Sequence, residues 1–562
     1  MDFKLTKLNA YAIVFLIWAA IYLPGLGAFH INFNEGRRIM PAVGMLDTGN
    51  WRVPSLAGEE YFKKPPMINW LIAGSFIVFG EMSDFAARFP SAVAVLAFVT
   101  LLVLMPSGFM DIRTRFAAAI IFLTSAGCID NGTQAEIDSV YACVTGMAMI
   151  SWLNLWSAGK KSSLALWLIP GIIIGFGLLV KGPIILLFFY MVVISVLAYE
   201  KRLRELLSLH HALGIIAMVG IFMSWMLSVP ASAPSDDVKS KMAGTWIAEM
   251  WLTFQGEDLN LPKWPLRASG AFLGLLPWLL FAPFLFKESH VSKIPDKDRL
   301  LFKGCRFAVI AALIIVNLMP AVKARYSLPI YGLALTLIGW MLIAGTSSSM
   351  VEKLWRRLLL AISGIAALAC LLSVVTIIAG GIGSLSFIPG DVIVNVNSAI
   401  SGIRSSVFLM ASGFLASALS CAAFFFILKK NEMISGNFNL VLASGVVAAL
   451  LGLSVASFAL PVAARYQKGH DKAGAEISSM IKGGTLHAYK VTCEPFLFYI
   501  RPPVKFFMKP EQVHEKVKYL LYRSDMQAEV DGSGILSGRN PRVTSKFMNR
   551  KYNYTLVELD VR

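Results

Sequence analysis

The sequence is short of charged residues, which make up only 15% of its 562 positions. A soluble globular chain normally carries about 25% charged residues. Long apolar runs fill the difference, and hydrophobic residues reach 56% of the chain. Because a run of roughly 20 apolar residues is what a membrane-spanning helix needs, the composition predicts a polytopic membrane protein.

Cysteine and acidic residues are also scarce. Of the six cysteines only Cys493 lies beyond residue 460, and the chain has no Cys-x-x-Cys pair. This pattern excludes a disulfide framework and gives no sign of a zinc site. The 51 Lys and Arg residues outnumber the 34 Asp and Glu residues. Because most basic residues separate apolar runs, membrane topology and anionic lipids explain the surplus, and we expect no nucleic-acid partner.

The apolar runs predict about 13 membrane crossings. The first run, 8–29, lacks a small-residue cleavage site before its polar flank, so we expect it to remain as a span. The later runs lie near 89–106, 116–129, 138–157, 164–180, 184–199, 211–229, 268–286, 302–321, 327–344, 358–380, 404–428 and 437–460. Residues 67–80 are too short for a span and predict a helix lying in the membrane interface.

The distribution of Lys and Arg predicts the orientation. Lys4 and Lys7 precede the first run, and the turns expected on the same side are basic, as in Lys201, Arg202 and Arg204. The positive-inside rule then places the N-terminus in the cytoplasm. An odd number of crossings places residues 461–562 on the outer side of the membrane.

The two parts of the chain have different patterns. Residues 1–460 predict a transmembrane domain with a first outer loop at 30–66, and residues 461–562 predict a soluble domain. In that domain β-prone runs (484–500, 503–508, 517–523 and 552–561) alternate with helical ones (470–482 and 510–518). The predicted fold class is therefore a polytopic α-helical membrane protein with a small C-terminal α/β extracytoplasmic domain.

Several basic residues lie at span ends on the predicted outer side, against the positive-inside bias. They are Arg37, Arg38, Lys63, Lys64, Lys181, Lys323 and Arg325. Each alone can be a snorkelling or surface side chain, but together they indicate a shared anion, and Arg with Lys suits phosphate. Lys181 is the most specific, since Gly182 and Pro183 predict a tight turn that fixes its height; a solvated turn lysine is the alternative.

Carboxylates accompany these cations. Glu35 follows Asn34 just beyond the first span, and Glu136 and Asp138 lie at the outer end of a later span. Asp138 opens an apolar run, where a carboxylate can cap the helix N-terminus. The alternative is a carboxylate that takes a proton from an acceptor hydroxyl or stabilises positive charge on a sugar.

An ordered series of short motifs carries a family resemblance. They are Asn-Glu-Gly-Arg (34–37), Gly-Asn-Trp-Arg-Val-Pro (49–54), Tyr-Phe-Lys-Lys-Pro-Pro (61–66), Ala-Ala-Arg-Phe-Pro-Ser (86–91), Glu-Ile-Asp (136–138), Val-Lys-Gly-Pro (180–183), Leu-Leu-Pro-Trp (275–278) and Lys-Ala-Arg-Tyr-Ser-Leu-Pro (323–329). The series resembles the bacterial lipid A aminoarabinose transferases (ArnT-like) and their relatives among the GT-C membrane glycosyltransferases, which include the protein O-mannosyltransferases.

The resemblance implies a GT-C fold and an inverting transfer of a sugar from a polyprenyl-phosphate carrier to an acceptor on the periplasmic face. It implies that Arg37, Lys64 and Tyr326 contact the carrier phosphate, with Lys181 and Arg325 as neighbours. Lys323 belongs to the same motif as Arg325, and Asp138 matches the second acidic residue of the family site. Once cations hold its charge, the carrier phosphate is a good leaving group.

Two positions depart from the family pattern. Asn34 stands where the family usually has Asp, and Lys63 stands where it often has Glu. Asn34 cannot act as a base at neutral pH, so the base is Glu35 or Asp138, or the acceptor is a phosphate that is already ionised, or catalysis is weak. The two changes also weaken the case for a divalent metal, which stays open; no cofactor is certain.

Two other functions stay open. A transporter or flippase would carry ionisable groups near mid-span and internal repeats, and this sequence has neither. A non-catalytic protein that binds polyprenyl-phosphate lipid is the second alternative, because of the two missing carboxylates. The sequence leaves open the sugar and the acceptor, which is lipid A or another envelope molecule.

Overall fold

The structure is a computed structural model of the chain. It describes residues 5–56, 59–106, 108–159, 163–229, 244–245, 264–319, 323–345, 349–381, 390–405, 407–429, 436–464, 469–500, 504–512, 517–549 and 552–560. These residues belong to two compact units: unit 1 within 1–28, 89–227 and 247–465, and unit 2 within 29–88, 228–246 and 466–562.

Helices account for most of the described chain. They are α1 Lys7–Tyr22, α2 Phe33–Thr48, α3 Met67–Phe79, α4 Asp84–Leu104, α5 Ile112–Leu123, α6 Ala126–Gly132, α7 Ile137–Ser157, α8 Leu164–Lys181, α9 Ile184–Tyr199, α10 Leu209–Ser228, α11 Trp264–Leu273, α12 Glu288–Val291, α13 Asp296–Leu318, α14 Leu328–Trp340, α15 Ser349–Ala379, α16 Gly390–Ser405, α17 Val407–Lys429, α18 Asn437–Ser454, α19 Leu460–Ala464, α20 His470–Met480 and α21 Gln527–Gly532. The strands are β1 Ser55–Leu56, β2 Glu59–Glu60, β3 Leu486–Tyr489, β4 Val504–Phe507, β5 Tyr519–Arg523, β6 Arg542–Asn549 and β7 Tyr552–Glu558.

The helices confirm a multi-pass membrane protein. Eight of those in the described ranges are long and apolar enough to cross a membrane, or up to ten if each of two bent pairs is one crossing. One bent pair is α5 with α6, at 63°, and the other joins residues 267–273 to 278–286, at 89°. Shorter apolar helices include α1, α3 and α9. The count of 13 crossings stays a prediction, as does the interfacial position of α3.

Unit 1 holds its helices in close contact. A Cβ added to Gly171 of α8 would lie 2.5 Å from the carbonyl oxygen of Gly214 in α10, so the two backbones touch. Small residues at helix crossings allow this approach in membrane proteins. All 13 residues of α14 are buried. The ends of α8 and α14, where the motif cations lie, are thus held on tightly packed helices.

Unit 2 contains a five-stranded mixed sheet in the order β4-β3-β5-β7-β6. Strand β3 pairs in parallel with β4 and β5, while β7 pairs antiparallel with β5 and β6. Tyr489, Leu520, Tyr522 and Val557 lie in its buried core. This confirms the small C-terminal α/β domain expected from the alternation of helical and β-prone runs.

Several boundaries in this domain differ from the expected ones. The run at 484–500 becomes the four-residue strand β3, followed by a 3-10 helix at Pro495–Tyr499, because Pro495 cannot donate to a sheet ladder. Of the helix expected at 510–518, Pro510–Gln512 form a 3-10 turn, while residues 517–518 are not helical and lead into β5. Residues 513–516 of that run lie outside the described residues. Strand β6 was not expected, since its side chains are mostly polar and exposed.

Unit 2 also contains the first predicted outer loop. Tyr499 connects it to the C-terminal residues: its hydroxyl donates to Asp84 Oδ1 at 2.7 Å and accepts from the Ile31 backbone N–H at 2.9 Å. Burial, with the Asp84 carboxylate adding to it, raises the pKa of the Tyr499 phenol, so it stays a neutral donor. The sequence assigned residues 30–66 to the transmembrane domain; here they pack within one unit with 466–562. The boundary at residue 460 stays a prediction.

Candidate functional site

Glu136 and Asp138 begin helix α7 in unit 1. Glu136 is the N-cap residue with extended backbone, and Asp138 lies in the first helical turn. Both carboxylates are buried, at 3% and 4% exposure. A buried carboxylate is costly unless cations or hydrogen-bond donors compensate it. The surrounding elements therefore have to supply positive charge.

Lys181 supplies one cation from the end of α8. Gly182, with φ +92° and ψ −162°, ends the helix in a conformation that is essentially restricted to glycine, and α9 begins after Pro183. Tyr141 steadies the turn by donating its hydroxyl to the Gly182 carbonyl at 3.3 Å. The Lys181 ammonium pairs with Asp138 Oδ1. This confirms the tight turn predicted from the sequence, while the anion beside Lys181 is a carboxylate of the chain itself.

Arg325 supplies the second cation from the 3-10 turn Ala324–Ser327, directly before α14. Its Nε lies 3.2 Å from Asp138 Oδ2, and its Nη1 lies 3.3 Å from Glu136 Oε1. Asp138 thus has a cation at each oxygen, and Arg325 has a carboxylate at each of two nitrogens. The four side chains form one alternating row, Glu136, Arg325, Asp138 and Lys181, which we call the charge row.

Aromatic rings adjoin the charge row, and one further predicted lysine is close to Arg325 in the sequence. The Lys181 ammonium lies 4.9 Å from the ring centre of Tyr326 and 5.6 Å from that of Tyr141. Such contacts favour a cation whose hydration is reduced. Lys323 is exposed, two residues before Arg325. The row carries two positive and two negative charges, so it is balanced until an external anion competes for the cations.

The remaining predicted residues lie in unit 2, either in α2 or in the segment between β2 and α3. Asn32 caps α2 and forms a capping box with Glu35, whose Oε2 accepts from the Asn32 backbone N–H at 2.9 Å. Glu35 is fully buried and forms a two-point ion pair with Arg88, with Nε–Oε1 at 2.7 Å and Nη2–Oε2 at 2.9 Å. Glu35 therefore stabilises the N-terminal turn of α2.

Arg88 belongs to the Ala-Ala-Arg-Phe-Pro-Ser motif (86–91), and no role was predicted for it from the sequence. Besides Glu35, it donates from Nη1 to the Phe29 carbonyl at 2.6 Å and from Nη2 to the His30 carbonyl at 3.2 Å. An ionisable residue inside an apolar run is a signal that could have identified it. Arg88 holds the chain that leads into α2.

The other predicted site residues of unit 2 are more accessible than Glu35. Asn34, Arg37 and Lys63 are exposed, and Lys64 is half-buried. The Arg37 guanidinium lies 4.8 Å from the centre of the Phe33 ring.

The C-terminal residues pack against α2 beside Arg37. A Cβ on Gly36 would lie 2.6 Å from the Cys493 carbonyl oxygen. Burial raises the pKa of the Cys493 thiol, although the nearby Arg37 opposes the shift. This contact was not evident from the sequence, because it joins residues more than 400 positions apart.

The predicted site residues therefore lie in two groups. Unit 1 brings together Glu136, Asp138, Lys181, Arg325 and Tyr326. Unit 2 contains Asn34, Glu35, Arg37, Lys63 and Lys64. Within the described ranges, no three His, Cys, Asp or Glu side chains form a group that could hold a metal ion.

Comparisons with known proteins agree with this architecture. The family model of dolichyl-phosphate-mannose-protein mannosyltransferases matches residues 63–227. Undecaprenyl phosphate-alpha-4-amino-4-deoxy-L-arabinose arabinosyl transferase 2 of Proteus mirabilis is 27% identical over 47% of this chain and 47% of its own. The corresponding transferase of Pseudomonas aeruginosa strain UCBPP-PA14 is 27% identical over 46% of each chain. The chain thus spans about half the length of the curated relatives it matches.

A solved structure extends the likeness to almost the whole chain. The crystal structure of ArnT from Cupriavidus metallidurans bound to undecaprenyl phosphate covers 98% of this chain and 97% of its own, with a TM-score of 0.67 and 17% identity. The protein is thus a multi-pass membrane protein with the fold of that ArnT structure. In sequence it is similar to the arabinosyl transferases named above, as the motif series predicted.

Proposed function

We propose that the protein is a glycosyltransferase that moves a sugar from a polyprenyl-phosphate carrier to a lipid A-type or other envelope acceptor. The reaction takes place on the periplasmic face of the bacterial inner membrane, with the N-terminus in the cytoplasm and residues 461–562 in the periplasm. The observation that supports this most directly is the charge row, in which two cations from different helix ends meet at one buried carboxylate. The names of the relatives support the carrier and the reaction class.

The donor phosphate binds by exchange of ionic partners. Lys181 and Arg325 both pair with Asp138 in the charge row. An incoming phosphate competes with Asp138 for both cations, and an Arg beside a Lys suits its oxygens. Tyr326 lies against Lys181 and lines the same place. Lys323 is a further contact to the donor, and the phosphate-binding roles of Arg37 and Lys64 in unit 2 stay predictions of the motif resemblance.

This exchange would prepare the catalytic base. Asp138 between two cations is a weak base, and it becomes a stronger one when the donor phosphate draws the cations away. The acceptor hydroxyl oxygen then attacks the anomeric carbon, and its proton passes to Asp138. The bond between that carbon and the phosphate oxygen breaks, and its electron pair stays on the polyprenyl phosphate, stabilised by Lys181 and Arg325. An acceptor that is an ionised phosphate would react without the base.

Asp138 fits the base better than Glu35 does. Glu35 is fully buried and paired at both oxygens with Arg88, which also holds two backbone carbonyl groups. Removing that guanidinium from Glu35 during each turnover would disrupt the entry to α2. Asn34 is exposed but has no basic atom at neutral pH. We therefore assign Glu35 a structural role and Asp138 the proton transfer.

The second candidate function is a non-catalytic binder of polyprenyl-phosphate lipid. The pairing of Asp138 with two cations favours this function. A site whose carboxylate is not available as a base can still bind phosphate through its cations. A transporter or flippase is less favoured, since the charge row lies at helix ends and not at mid-span. Turnover of the donor separates the enzyme from both alternatives, because neither binding nor transport releases free carrier phosphate.

The test uses the full chain in lipid nanodiscs with undecaprenyl phosphate-linked 4-amino-4-deoxy-L-arabinose and lipid A. We expect release of undecaprenyl phosphate and a matching mass gain on lipid A, both measured by mass spectrometry. Asp138→Asn should abolish both while the protein still inserts and folds. Asp130→Asn, an exposed carboxylate in α6, is the matched control and should keep full activity.

Other sugars are tested by deleting the gene and measuring which polyprenyl-phosphate sugar accumulates. A wild-type protein that releases no carrier phosphate from the accumulated donor would overturn the proposal. Full activity of Asp138→Asn would remove Asp138 from the mechanism.

A further inference from the structure

Glu136 is the part of the charge row that the proposed mechanism leaves without a role. It is 3% exposed, it precedes Asp138 by two residues, and its Oε1 lies 3.3 Å from Arg325 Nη1. A carboxylate beside a site for an anionic donor repels that donor. Its position therefore needs a reason other than donor affinity.

Arg325 presents different nitrogens to the two carboxylates. Its Nη1 faces Glu136 and its Nε faces Asp138, at 3.3 Å and 3.2 Å. The planar guanidinium can thus lose one partner while it keeps the other. If Asp138 were the sole partner, an arriving phosphate would have to separate a close ion pair in a buried setting, which is costly. Glu136 shares the charge of Arg325 and weakens its hold on Asp138.

We propose that Glu136 is a positioning residue, which holds Arg325 while the donor phosphate replaces Asp138 on the guanidinium. This rests on the proposed function and deepens it, since it assigns the second carboxylate of the site. Glu136 contacts neither donor nor acceptor. It keeps Nη1 of Arg325 in place, so that Nε passes from Asp138 to the phosphate and Asp138 becomes available as a base.

If Glu136 positions Arg325, replacing Glu136 should have opposite effects on donor binding and on turnover. With Glu136→Gln, the guanidinium keeps its full charge for both the phosphate and Asp138. The donor should bind as well as before or several-fold more tightly, while Asp138 stays paired and kcat falls about 10- to 100-fold. A residue needed only for folding would instead lower the amount of active protein and leave both constants of the folded fraction unchanged.

A double-mutant cycle tests whether Glu136 acts through Arg325. The proteins are the wild type, Glu136→Gln, Arg325→Gln and the double variant, each as the full chain in nanodiscs. We expect Glu136→Gln to lower kcat in the wild type but to have almost no further effect once Arg325 is replaced. Glu136→Asp, which keeps the charge, should restore part of the rate. Glu288→Gln, an exposed carboxylate of the same unit, is the matched control.

Binding of undecaprenyl phosphate to the same four proteins gives a readout that does not depend on turnover. We expect most of the tightening caused by Glu136→Gln to disappear in the Arg325→Gln background. An equal effect of Glu136→Gln in both backgrounds, on kcat and on binding, would overturn the inference. If the wild type turns over no donor, the proposed transfer fails while the binding cycle still decides whether Glu136 acts through Arg325.

Discussion

Replacing Arg88 with leucine tests the buried ion pair that closes the entry to α2. The pair is 5% exposed at Arg88 and 0% at Glu35, so water cannot replace the lost guanidinium. Breaking a buried pair by removing one partner costs about 3–5 kcal/mol. The same change removes the hydrogen bonds to the Phe29 and His30 carbonyls. We therefore expect the first turn of α2 to open far more often.

Hydrogen exchange measured by mass spectrometry on the full chain in nanodiscs reports this opening directly. A loss of about 3–5 kcal/mol corresponds to amide exchange in residues 31–36 that is roughly 100- to 5,000-fold faster. Arg37→Leu is the matched control, since Arg37 is exposed on the same helix, and it should change the exchange only a few-fold. Combining Arg88→Leu with Glu35→Gln should recover part of the protection, because the buried charge is then gone.

The reasoning would be refuted by unchanged exchange at the start of α2 in Arg88→Leu. It would also be refuted if Arg37→Leu opened this region as much as Arg88→Leu does. Either result would mean that the buried pair does not hold the helix entry. The assignment of a structural role to Glu35 would then lose its support, and Glu35 would return as a candidate base.

Three further predictions use single contacts. Gly182→Ala should cost about 1–3 kcal/mol, because alanine does not adopt its backbone angles, and should lower donor turnover by displacing the preceding lysine. Gly36→Ala should destabilise unit 2 by about 1–3 kcal/mol in thermal unfolding, because a methyl would meet a carbonyl oxygen at 2.6 Å. In contrast, the methyl of Gly74→Ala in α3 meets nothing, so this change should be neutral to stabilising. The hydrogen bond from Lys490 lowers the pKa of Glu529, so its stabilisation exists above the unfolded pKa and is lost as the pH falls through the folded pKa. The difference in melting temperature between wild type and Glu529→Gln should therefore be constant above about pH 5 and shrink as the pH falls below the ordinary glutamate value of 4.5.

The charge row pairs both of its cations with carboxylates of the chain. In the proposed mechanism the donor phosphate competes with these carboxylates. A site of this kind avoids leaving two cations together in a place of low dielectric, where their repulsion is strong. In the proposed mechanism, donor binding therefore also separates Asp138 from its cations and makes it available as the base. In that mechanism Asp138 takes no proton from the acceptor before the donor has arrived.

The membrane-spanning helices could be predicted from the sequence because they depend on local composition. A sufficiently long apolar run predicts a span buried in lipid, whichever helices it packs against. The runs at 138–157, 164–180 and 184–199 became α7, α8 and α9 within one residue at nearly every end. The turn at Gly182 was equally local, since glycine and proline restrict the backbone where they stand.

The secondary structure of the soluble C-terminal domain was harder to predict from the sequence. Strand β6 is an edge strand with mostly polar, exposed side chains, so it lacks the alternation that marks a half-buried strand. The 3-10 helix at Pro495–Tyr499 replaced an expected strand, although its side chains are apolar. In these segments, packing against neighbouring elements overrides local propensity.

The sequence by itself determined that the chain crosses a membrane many times, that it carries a small α/β domain, and which cations and carboxylates are candidates. Those features follow from hydropathy, charge and motif order, which are local properties. Only the tertiary structure decided how the charges pair: Asp138 with Lys181 and Arg325, Glu136 with Arg325, and Glu35 with Arg88. The pairing joins residues from 43 to 189 positions apart, and it depends on which helix ends the packed core brings into contact.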